Sequence, residues 1–166
     1  TDSVILYKDA IYKQVNNIYM DESATLIYSD GITSGWSKEG EEFQYSNVQL
    51  KTKVYVNNKI VLLDNLLINP RKDDVTKLGF FEGYENFGTL LVINKNINVE
   101  ILEDLRNNIN NLNLPIYFGI SELEVSGFVL RVLGNLTQNI ESAINLCHNF
   151  VRKKFLNSKE LSIRKY

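Results

Sequence analysis

The chain has 166 residues, 44% of them apolar and 23% charged, with a net charge of −2. That size and composition predict one domain with a real core, and an acidic balance argues against a nucleic-acid binder, which needs a basic surface. No apolar run approaches the roughly 20 residues of a membrane-spanning helix. The single cysteine, Cys147, cannot form an internal disulfide, and His148 is its only companion as a strong transition-metal ligand, which excludes a Cys/His zinc site within one chain.

Apolar alternation begins by Val4, directly after a start at Thr1 without Met, so the sequence is expected to be cut from a longer protein. Ile11 to Met20 and Ala24 to Tyr28 read as strands parted by the polar turn Asp21-Glu22-Ser23. Val48, Leu50, Thr52, Val54 and Val56 alternate with polar residues, and a period of 2 puts them on one face of a strand. Asn57-Asn58 follows, and Asn tolerates the positive φ of a tight hairpin turn, so Ile60 to Ile68 is the expected return strand. Gly83-Tyr84-Glu85-Asn86-Phe87-Gly88 is bounded by glycines and lacks the lysine of a phosphate loop. It reads as a turn with close backbone approach, leading into a strand at Thr89 to Ile93.

The period then changes. Ile101, Leu102, Leu105, Ile109 and Leu112 recur at helical spacing, with Asn98 as the expected N-cap and Pro115 as the stop. Ile116 to Leu123 and Gly127 to Leu133 are strand-like again. The last element is a helix with the apolar stripe Ile140, Ile144, Cys147 and Val151. Asn135 with Gln138 predicts a capping box at its start, and Lys153 and Lys154 suit the dipole at its end. The expected fold is mainly β, a single domain over residues 1–166 with helices at about 98–112 and 136–155.

Catalytic signatures are absent from the sequence: there is no GxSxG, HExxH, CxxC or GxxxxGK[ST]. Cys147 and His148 are adjacent on a helix and point about 100° apart, so they do not readily share one ion. Cys147 is expected in the core and His148 at the edge of the stripe. The carboxylates are more informative. Asp30 precedes Gly31, Glu41 and Glu42 follow Gly40, and Asp64 interrupts an apolar strand. A carboxylate there must be paired, hydrogen-bonded or facing water. Asp64 is therefore read as a β-bulge or solvent-facing residue, or as a polar group lining an internal channel.

Short motifs in a fixed order carry a resemblance. Val4-Ile5-Leu6-Tyr7-Lys8-Asp9-Ala10 with Tyr12-Lys13-Gln14 is similar to an "LIPF-x-DA-x-Y-x-Q" strand, with Leu6 in place of the proline. Ser29-Asp30-Gly31-Ile32-Thr33-Ser34-Gly35-Trp36 is similar to a segment running from an acidic residue to "GR/GW", and Gly40-Glu41-Glu42-Phe43 to "GE-x-F". Asp64-Asn65-Leu66 with Asn69-Pro70, Gly83 to Leu90, Arg131-Val132-Leu133-Gly134 and the closing Arg164-Lys165-Tyr166 complete the series. In this order the motifs resemble the urease accessory protein UreD (UreH) family, as its C-terminal portion.

The resemblance implies layered, helically wound β-sheets with two helices, and a cytoplasmic nickel-delivery chaperone in place of an enzyme. It implies binding to the urease apoprotein and to UreF, with the GTPase UreG recruited through UreF. No tightly bound cofactor is expected, only nickel in transit. Asp30 and Glu41 align with the family's acidic positions and are the candidate nickel-path carboxylates. A weakly binding passage of carboxylates, carbonyls and water suits transit better than thiolates or imidazoles. The competing reading is a β-sandwich ligand- or carbohydrate-binding module that uses Trp36 and nearby tyrosines as stacking platforms.

Overall fold

The structure, a computed structural model, describes residues 3–157. The Arg164-Lys165-Tyr166 motif lies outside the described residues. Among these there are seven strands and two helices, 41% strand against 20% helix. In chain order they are β1 (Ile11–Met20), β2 (Leu26–Thr33), β3 (Asn47–Val56), β4 (Lys59–Ile68), β5 (Asn86–Ile93), α1 (Val99–Asn110), β6 (Ile116–Glu122), β7 (Gly127–Gly134) and α2 (Thr137–Phe155).

The strands form two sheets, ordered β1-β3-β4 and β2-β5-β7-β6. β1 and β3 are parallel neighbours although β2, which lies between them in sequence, belongs to the other sheet. The chain thus makes a full turn from the first sheet into the second and back, which is the wound layering that the family resemblance implies. The β3–β4 hairpin closes at Asn57 and Asn58, both at positive φ (48° and 63°), the conformation a two-residue primed turn demands.

Residues of alternate parity on the second sheet serve two cores. Leu90, Val92, Phe128, Leu130 and Val132 pack with α1 and α2. Leu91, Val129 and Ile93 face the other way, toward Val54 of the first sheet. The layers are therefore sheet, sheet and helices. Asn98 caps α1 as expected, its side chain accepting from the Ile101 N–H at 3.0 Å.

Three expectations are corrected. β2 extends to Thr33, beyond Tyr28, because it pairs with β5 from Leu26↔Ile93 to Thr33↔Asn86, so Asp30 lies within a strand. The capping box at Asn135 and Gln138 does not form. The N-cap is Leu136, which makes Gln138 the second helical residue and leaves it one position short of the reciprocal bond. The Asn135 carbonyl instead accepts from Asn86 Nδ2 at 2.9 Å. Finally, the fully buried stripe of α2 is Ile140, Ala143, Cys147 and Val151. Ile144 is half-buried against the same core.

Gly88 explains how closely α2 approaches β5. A Cβ there would lie 2.5 Å from Ile140 Cγ2 and 3.0 Å from Ile144 Cδ1. A β-branched side chain on a helix has little freedom to move aside. Gly88→Ala is expected to destabilise the fold by about 1–3 kcal/mol, the cost of overpacking. Because Ile140→Ala removes the clashing methyl, Gly88→Ala/Ile140→Ala should lose less than the two single changes summed. Urea unfolding of the four proteins checks this, and strict additivity would contradict the contact.

Candidate functional site: a polar layer between the sheets

Strand register brings one polar row from each sheet to the space between them. On the first sheet Asn16 pairs with Thr52, and Thr52 with Asp64. On the second, Asp30 pairs with Thr89, and Thr89 with Arg131. Period 2 gives each of these residues the same facing as its neighbours two positions away. On one side those neighbours are Val54, Leu62, Leu91 and Val129, and on the other Leu50, Leu66, Ile32 and Leu133. The two sets belong to separate apolar clusters, and the polar layer lies between them.

The layer is bonded internally. The Tyr28 hydroxyl donates to Asp30 Oδ2 at 3.0 Å and accepts from Asn16 Nδ2 at 2.7 Å and Gln14 Nε2 at 3.2 Å. Asn16 Nδ2 also reaches Thr52 Oγ1 at 3.3 Å. At the other end, Arg131 Nη2 donates to Asp64 Oδ1 at 2.9 Å. Burial holds the Asp30 carboxyl above the usual carboxylate range. The Tyr28 hydrogen bond opposes this and the nearby charge of Asp64 adds to it. Burial, followed by the Asp30 charge, pushes the Tyr28 hydroxyl up to about 12.

Two cavities meet at this layer. The narrower, about 10 Å³, is bounded by Tyr28, Asp30, Thr52, Asp64 and Thr89 with Leu62, Leu91 and Val129. That is room for about one water molecule. The wider, about 240 Å³, is lined by Asp64, Asn65, Leu66, Gly79, Phe80, Phe81, Phe87 and Arg131. Asp64 lines both.

The structure separates the two candidate carboxylates. Asp30 faces the inter-sheet space. Glu41 is exposed on the loop between β2 and β3, where its backbone carbonyl accepts from Ser37 Oγ at 2.8 Å. Asp64 is neither in a bulge nor turned to solvent: the irregularity lies at Val54/Tyr55, and the Asp64 side chain is only 28% exposed. Thr52, Thr89, Tyr28 and Arg131 were not expected at the site. The available signal was a polar residue in the inward phase of an apolar strand, as at Thr52 and Asp64.

Elsewhere, Cys147 is fully buried, and burial pushes its thiol up to about 12. His148 is half-buried, and its imidazole is shifted down by desolvation and then by Arg152. Trp36 is 55% exposed, edge-on to Tyr7 at 5.4 Å. Among the described residues no group of three or more His, Cys, Asp or Glu could hold a metal ion, and no helix is long and apolar enough to cross a membrane.

The family model for the UreD urease accessory protein matches residues 1–165. The chain belongs to the UreD family. It is 41% identical to the urease accessory protein UreD of Bacillus cereus, over 99% of this chain and 60% of that protein. It is 38% identical to UreD of Ureaplasma urealyticum and 40% identical to UreD of Streptococcus thermophilus, over 99% of this chain and 58% and 59% of those proteins. The chain thus spans about three-fifths of the length of these curated relatives.

Because the folded-state pKa of Asp30 is raised, the folded chain holds that proton more tightly than the unfolded chain does. The resulting stability is fully present below the ordinary value of 3.8 and is lost as the pH rises through the folded value. Asp30→Asn keeps an acceptor for Tyr28 and removes the titration. Its stability relative to wild type should therefore rise from about pH 4 upward and then level off. Urea midpoints of both proteins across pH 4 to 8 check this, and a constant difference would contradict it.

Proposed function

We propose that this UreD-family chain is a chaperone of urease maturation whose inter-sheet polar layer passes nickel toward the urease active site. It acts in the cytoplasm without catalysis of its own, bound to the urease apoprotein and to UreF, with UreG joining through UreF. Nickel is the cargo, and no resident cofactor is required.

The observation that carries this reading is the placement of Asp64. It lines both cavities, and its charge raises the proton affinity of Asp30. Two carboxylates that oppose each other's ionisation in a partly desolvated seam are a place where a cation is favoured. Oxygen donors alone hold nickel loosely, whereas thiolate and imidazole would retain it. Cys147 is sealed in the helical core, away from such a path. Glu41, exposed on its loop, serves in this reading at the surface and not in the interior.

A reconstituted urease activation assay tests the proposal with Asp30→Asn, Asp64→Asn and the double variant. Each should lower activation by about tenfold, the order of loss when a partner in a metal site is removed. Capture of UreF and urease should be unchanged, because the step removed is ion transfer and not assembly. Full activation by the double variant would remove the passage from the mechanism. Loss of capture would make the two residues structural.

A further inference from the structure

The polar layer already contains a cation. Of the described residues lining the two cavities, Arg131 alone is basic. It stands in register with Thr89 and, through Thr89, with Asp30. Across the seam its guanidinium bonds Asp64, the residue the two cavities share.

We propose that Arg131 is a resident counter-ion that occupies Asp64 where a divalent cargo ion would bind, so that an ion moving between the cavities must displace it. This rests on the reading of the layer as a cation passage. Displacement is physically easy on the protein side. The Arg131 side chain is 53% exposed, so its guanidinium can turn to water without losing hydration. An ion pair with one half-exposed partner is weakly held. The guanidinium never loses its charge, so the carboxylate is not left unpaired in the resting state at any working pH. A divalent ion brings twice the charge to the same oxygen and has a second carboxylate, Asp30, facing the same seam. Once the ion has moved on, Arg131 returns. The pair therefore sets a threshold against accumulation: it weakens binding at Asp64 and keeps transit reversible.

Calorimetric titration of the purified chain with nickel chloride, at one pH and low ionic strength, tests this apart from urease activation. Arg131→Met removes the charge but keeps the length, and Arg131→Gln replaces it should the Met variant fail to fold. Arg131→Lys keeps the charge. The neutral variant should bind nickel about tenfold more tightly than wild type, as expected when a like charge beside the ligand oxygen is removed. Arg131→Lys should stay near wild type, and the gain should vanish in Arg131→Met/Asp64→Asn. A residue that merely braced the fold would not tighten binding when lost. Unchanged or weaker binding by the neutral variant, with Asp30→Asn still lowering affinity, would overturn the counter-ion role and leave the passage standing. No nickel binding by any of the proteins would overturn both.

Discussion

Two sheets can pack face to face around polar side chains only if those side chains satisfy one another, because an unpaired polar group in such a seam costs more than packing returns. Here that constraint falls on Asn16, Thr52 and Asp64 from one sheet and Asp30, Thr89 and Arg131 from the other. The β1–β3 parallel register and the β2–β5–β7 antiparallel register must both hold for the two rows to meet. A slip of one residue would turn the polar member of a first-sheet strand to solvent, and that of a second-sheet strand into the apolar core beneath the helices. The layer therefore specifies the alignment of the sheets as well as forming the site. Its hydrogen bonds run from Gln14 to Asp30 through one hydroxyl, that of Tyr28.

Features set by local sequence are legible without the fold. The Asn57-Asn58 hairpin, the Asn98 cap, the limits of β1 and the two helices each depend on a few adjacent residues. The strands that read short, β2 and β5, were shortened at Asp30-Gly31 and at the Gly83–Gly88 segment, where turn-forming residues lie inside paired backbone. Gly31 and Gly88 are register partners, so each removes side-chain bulk beside the other. The misread capping box turned on a single residue of helix phase.

The site was half legible. Asp30 was singled out because of its place in a motif, and Asp64 because of its cost in an apolar strand. Arg131 could not be joined to Asp64 in the same way, since 67 residues separate them and the pairing depends on the stacking of two sheets. Glu41 shows the opposite limit. Motif order located it, but order along the chain carries no information about burial, and the loop built on Gly40 and Ser37 leaves its carboxylate exposed. Thr52 fell in the correct phase of β3 and passed as one more β-branched residue. Its hydroxyl mattered only once Asn16 lay beside it.

Cation transit requires that the seam between the sheets admit the ion. Crystals of the chain soaked with nickel and measured at the nickel absorption edge locate the ion directly by anomalous scattering. Density is expected between the Asp30 and Asp64 carboxylates, with the Arg131 guanidinium swung toward solvent. Nickel found only at His148 or on surface carboxylates, with the Asp64–Arg131 bond intact, would contradict it.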